Sequence, residues 1–169
     1  MKKCLFWRLS IQAFFLMAFS VLTGCTSHSV PTHYSLAFQS HPQTNNAAPL
    51  KVRLLLLRSD ADFMSADFYS LQNSTAALLG GNLLYSEQFF LMPTNSSKTV
   101  TVPAAPEARY IGILAEYQTL DGKKWRLSLP LSATGSSTPE AIWQASSDEL
   151  KVNISADAGG LRVVRASLP

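Results

Sequence analysis

Leu50-Lys51-Val52-Arg53-Leu54-Leu55-Leu56-Leu57 decides the fold class. Leu50, Val52, Leu54 and Leu56 fall on one face of an extended chain and Lys51 and Arg53 on the other, the period of two that a half-buried strand requires. The alternation then fails, because Leu55 and Leu57 make the far end apolar on both faces. Something must cover that end. The following segment, Ser59 to Asn82, changes to a helical pattern and supplies the cover. Ser65 is placed to cap a turn carrying Phe68, Tyr69 and Leu71, Ser74 a second turn carrying Ala77 and Leu78, and Gly80 and Gly81 to stop it. Asp60, Asp62 and Asp67 suit the exposed N–H groups at helix starts.

Outward from this pair the same period of two recurs. Tyr34, Leu36 and Phe38 alternate with Ser35, Ala37 and Gln39 in a first strand. Downstream, Leu83 to Met92 and Lys98 to Val102 flank Pro93-Thr94-Asn95-Ser96, which reads as a hairpin connection. Arg109 to Tyr117 is apolar on both faces, with Gly112 inside it, as a central strand should be. Asp121-Gly122 is a strong hairpin signal and leads into Trp125, Leu127 and Leu129 alternating with Lys124, Arg126 and Ser128. After a polar stretch from Ser132 to Ser147, Leu150, Val152 and Ile154 pair with Leu161 and Val163 through Asp157-Ala158-Gly159-Gly160. The expected class is all-β: about eight strands in two antiparallel sheets packed face to face, with a short helical insertion between strands 2 and 3.

The N-terminus carries an address. Lys2, Lys3 and Arg8 precede an apolar run from Leu9 to Leu22, shorter than the roughly 20 residues of a membrane-spanning helix, and Leu22-Thr23-Gly24-Cys25 closes it. This matches the lipobox of bacterial lipoproteins, so residues 1–24 are expected to be a signal peptide and the Cys25 thiol the site of lipidation. Thr26 follows where Asp would mark inner-membrane retention, which makes the outer membrane the expected address. Residues 25–33 then read as a polar, Pro-broken tether, with residues 34–169 as the sandwich. Three of the fourteen Lys and Arg residues leave with the leader, so eleven basic residues face eleven acidic ones. A balanced surface offers no electrostatic footprint for nucleic acid. Cys4 also leaves with the leader, so no disulfide is expected.

Catalytic constellations are absent from the sequence. His28, His33 and His41 match no zinc-ligand spacing, no serine lies in a nucleophile elbow, and no phosphate-cradling glycine loop occurs. Glu116 and Asp121 are placed by a strand and by a turn rather than as an acid pair. Nothing implies a cofactor, a metal or an enzyme. Trp125 reads as core, whereas Trp143, in a polar segment, either covers a sheet edge or serves as a binding anchor.

The ordered segments resemble a known family, TssJ, the outer-membrane lipoproteins of type VI secretion systems. The resemblance rests on the lipobox, Pro49-Leu50-Lys51-Val52-Arg53-Leu54, Phe63 followed by Ala66-Asp67-Phe68-Tyr69-Ser70-Leu71, Leu79-Gly80, Leu83-Leu84, Pro93, the strand Ala108 to Tyr117, and Trp125-Arg126. It implies a transthyretin-like sandwich that docks the periplasmic C-terminal domain of the inner-membrane protein TssM and fastens the apparatus to the outer membrane. It also implies that the loop between the first two strands touches the partner. Here that loop is Ser40, His41, Pro42, Gln43, Thr44, Asn45, Asn46, Ala47, Ala48 and Pro49, with His41-Pro42-Gln43 where the family has an Asn-Pro-Asp-like turn. Loop length alone affects folding only slowly, so this connection is expected to be replaceable at little cost in stability. A different class remains as the alternative: a periplasmic lipoprotein holding a small apolar ligand between its sheets.

Overall fold

The computed structural model describes residues 32–94, 97–131, 142–145 and 149–164. Two sheets pack face to face. The first has the order β4-β1-β8-β7, with β9 also paired to β8, where β1 is His33–Ser40, β4 Ser97–Pro103, β7 Gln144–Ala145, β8 Glu149–Asp157 and β9 Gly160–Val164. The second has the order β3-β2-β5-β6, from β2 Leu50–Leu57, β3 Leu83–Leu91, β5 Tyr110–Glu116 and β6 Arg126–Pro130.

Alternation does what the sequence requires of it. Tyr34, Leu36 and Phe38 from β1, Leu50, Val52, Leu54 and Leu56 from β2, Ile111 and Ile113 from β5, and Val152 and Ile154 from β8 form one buried cluster between the sheets. The second apolar face of β2 is covered as expected. Leu55 and Leu57 are buried with Leu114 beneath Phe63, Phe68, Leu71 and Leu79 of the insertion, which forms helices α1 (Ala61–Ser65) and α2 (Phe68–Leu79). Gly112 leaves room for that cover, because a Cβ there would stand 3.1 Å from Leu57 Cδ1 and 3.2 Å from the Phe63 ring. Trp125 is half-buried, edge-on to Phe68 at 5.3 Å and stacked under the Arg126 guanidinium at 4.5 Å.

Several local expectations need correction. Ser65 ends α1 rather than capping the next helix; Asp67 is the N-cap of α2, its carboxylate accepting from the Ser70 N–H at 3.0 Å. Ser74 lies at a kink inside α2 (φ −137°) and caps nothing, while Gly80 does end the helix with φ 48°. Asp60 and Asp62 do stand at the start of α1, as its N-cap residue and in its first turn, but the Asp60 side chain makes no cap bond: Asp60 accepts from Ser128 Oγ at 2.6 Å and Asp62 from Asn82 Nδ2 at 2.9 Å. The segment after β3 is no hairpin, because β3 pairs with β2 in one sheet and β4 with β1 in the other. It carries no Asn-Gly or Asp-Gly pair to force a tight reversal. One pair, β1 with β8, runs parallel; the two strands are joined by no local turn, so nothing local in the sequence encodes their relative direction. His33, assigned to the tether, is the first residue of β1.

Candidate functional site

Direction along β1 sets the geography of the molecule. The strand begins at His33 and ends at Ser40, and eight residues at about 3.3 Å each span roughly 25 Å. Residues 40–49 therefore sit at the pole opposite the one where the N-terminal segment enters. Register brings other connections to the same pole: Ser40 lies beside Ala156 at the end of β8, Leu50 opposite Leu91, and Lys51 opposite Glu116 at the end of β5.

The loop is a built structure rather than a loose connection. Asn45, Asn46 and Ala47 have φ of 50°, 55° and 60°, a left-handed turn of three residues closed by the Ala48 N–H donating to Asn45 O at 3.1 Å. Asn enters that region more readily than most residues, whereas each other L-residue there costs about 1–2 kcal/mol, so the turn must be held from outside. Two buried side chains hold it. Thr44 Oγ1 donates to Ala156 O at 2.7 Å and accepts from the His41 N–H at 3.0 Å. Asn45 Nδ2 donates to Pro49 O at 2.9 Å, and Asn45 Oδ1 accepts from the Gln118 N–H at 2.6 Å.

Of the ten loop residues named from the sequence, Ser40, Thr44 and Asn45 are thus buried and shape the loop; Ser40 Oγ donates to Met92 O at 2.6 Å. His41, Pro42, Gln43, Asn46, Ala47 and Pro49 are exposed and Ala48 half-buried. Whole-loop replacement would remove the Thr44 hydroxyl from Ala156 O, which also accepts from the His41 N–H at 3.1 Å, and the Asn45 side chain from the Gln118 N–H, two bonds that loop length alone leaves out. Cys25 and His28 lie outside the described residues.

Beside the loop opens a cleft of about 640 Å³ between Asn45 and Pro49, the start of α2 at Phe68 and Tyr69, and residues 117–121. Its floor is an ion-pair cluster. Glu116, with a side chain only 8% exposed, meets Arg53 Nη2 at 2.7 Å and Lys51 Nζ at 3.3 Å, and accepts from Gln72 Nε2 at 3.0 Å. Arg53 reaches on to Thr75 Oγ1 at 2.8 Å and Gln72 O at 2.7 Å, so the charges on the outer face of β2 bind α2 to the sheet. Charges this buried persist because they are paired and hydrogen-bonded. Glu116 and Asp121 both line the cleft, the former committed to its cations and the latter in an exposed turn. Tyr117, buried beside it, has its ionisation pushed well above the ordinary phenol range by burial and by the nearby Asp157 carboxylate.

Trp143 covers a sheet edge: its Nε1 donates to Pro130 O at 2.8 Å and its ring lies 6.2 Å from that of Tyr34. Phe63 and Phe68 are core, but Tyr69 is 67% exposed at the cleft mouth. Sequence reasoning did not mark Gln118, Thr119 and Leu120, which line the other rim of this cleft. The adjacent Asn45-Asn46 pair was the available signal for a left-handed turn; no signal identified Gln118 as its partner.

A two-sheet sandwich with this helix-covered outer face is the fold of solved type VI secretion lipoproteins. Serratia marcescens Lip, described as a membrane-bound component of the type VI secretion system, is 52% identical over 82% of this chain and all of that one, with a TM-score of 0.74. The lipoprotein TssJ1 of Pseudomonas aeruginosa is 25% identical over 83% of this chain and all of that one, with a TM-score of 0.68. A search of curated proteins finds no match. The family model for type VI secretion lipoproteins (VasD, EvfM, TssJ) matches residues 32–157, and the chain belongs to that family.

Proposed function

We propose that this protein is acylated on Cys25, held to the outer membrane through residues 25–33, and docks the periplasmic C-terminal domain of TssM through residues 40–49. The observation that carries the reading is polarity: β1 enters from the tether at His33 and delivers the loop to the opposite pole. A domain hung from one pole faces away from its membrane with the other, which is where a partner rooted in the inner membrane arrives. Three left-handed residues held by Thr44 and Asn45 present His41, Pro42, Gln43 and Asn46 in one conformation, so association loses little loop entropy. In this role the protein acts by anchoring and not by catalysis. The alternative of an apolar ligand between the sheets gains no support, since Leu36, Phe38, Leu54, Ile113 and Ile154 fill that space at 0% exposure.

Titration tests the docking. In the soluble domain from Thr26, changing His41, Pro42 and Gln43 to Ala leaves Thr44 and Asn45 in place; we expect unchanged thermal stability and a dissociation constant raised about tenfold or more, an effect of roughly 1.4 kcal/mol. An unchanged constant would remove the loop from the interface. Fractionation tests the anchor: Cys25→Ser should leave the membrane fraction while remaining folded, and continued sedimentation with outer membranes in cells lacking TssM would contradict it.

A further inference from the structure

The loop does not stand alone at its pole. Asn45 bonds to Pro49 O with one end of its amide and to the Gln118 N–H with the other, so residues 45–49 and residues 117–121 form one clamped unit. Both line the same cleft, and its far wall is Tyr69 at the start of α2. We propose that the docking site is composite: a segment of the partner enters this cleft and contacts Gln118 on one rim and Tyr69 on the other, in addition to the loop.

This rests on the docking reading above and extends it to Gln118, which no sequence pattern marks, and to Tyr69. The chemistry of the cleft fits a polypeptide. Its floor pairs Glu116 with Lys51 and Arg53 and its rim carries the exposed Asp121, two cations against two carboxylates, so no net charge selects an ionic ligand. Its rims offer the side-chain amide of Gln118 and the O–H of Thr119, whose oxygen already accepts from Lys123 Nζ at 2.9 Å, while Leu120 and Tyr69 offer apolar surface. A peptide segment alternates backbone amides with side chains and meets both needs. Tyr69, 67% exposed although it can cover a large apolar area, has the character of an anchor that a partner buries.

Two variants placed away from the loop test it, each titrated as the soluble domain against the TssM periplasmic domain. Gln118→Arg keeps the backbone N–H that Asn45 binds and thrusts bulk and charge into the cleft; Tyr69→Ser removes the far wall from an exposed position. Each should raise Kd about tenfold with unchanged thermal stability. An unchanged Kd for either variant, in a folded protein, overturns the composite site. If the loop triple variant weakens binding while one of these does not, the docking reading survives and the extension falls; if all three bind normally, both fall.

Discussion

Asn45 shows how one side chain fixes a local conformation. Its backbone is left-handed, its side-chain donor and acceptor are both used, and it is 3% exposed. Ala47 holds the same backbone region without a polar side chain to compensate. Ala47→Gly should therefore stabilise the protein by about 0.5–1 kcal/mol, because glycine occupies positive φ at no steric cost. Denaturant midpoints would show this, and a loss of stability would mean that the turn is not left-handed at residue 47. Trp125 gives a second test. A fully buried tryptophan costs about 3–5 kcal/mol on truncation to Ala, but this ring is half-buried between Phe68 and the Arg126 guanidinium. Trp125→Ala should cost about 2–3 kcal/mol, and a change under about 0.5 kcal/mol would show that the ring does not bridge sheet and insertion.

At the level of elements, α2 is attached to its sheet by apolar cover and by Arg53, and started by Asp67. Hydrogen bonds from Ser70 hold the Asp67 carboxyl below the ordinary carboxylate range. A carboxylate with a lowered native pKa contributes stability above its unfolded value and loses that contribution as pH falls through the native one. The difference in melting temperature between wild type and Asp67→Ala should thus be largest near neutrality and shrink on acidification below about pH 4. A pH-independent difference would show that the charge is not what caps the helix. The elements themselves were largely legible in the sequence, because burial imposes a period of two on β1, β2, β6 and β8 and breaks it where a second layer lies above Leu55 and Leu57. What was not legible was pairing. Nothing in Pro93-Thr94 says whether β4 continues the sheet of β3 or crosses to the other, and nothing local sets β8 parallel to β1. The cap of α2 was misread because Ser65 and Asp67 both suit that role, and only the geometry of the Ser70 N–H chooses between them.

Across the whole molecule, function follows from which pole carries what. His33 is at one end of β1; the clamped loop, the 117–121 turn and the mouth of the cleft are at the other. That residues 40–49 lie at the end opposite the strand's entry was legible in the sequence, whereas their candidacy as the docking loop came from the family resemblance. The second rim of the cleft was not legible, because the bond from Gln118 to Asn45 joins residues 73 apart. Family membership supplies the setting of a type VI secretion lipoprotein, and the polarity is what supports the proposal that the loop meets the partner. Hydrogen–deuterium exchange of the soluble domain, with and without the TssM periplasmic domain, tests that claim most directly. Binding should slow exchange in peptides covering residues 41–49 and 117–121 and leave those covering the far pole, residues 103–109 and 129–131, unchanged. Protection confined to the far pole, with none at residues 41–49, would contradict the claim.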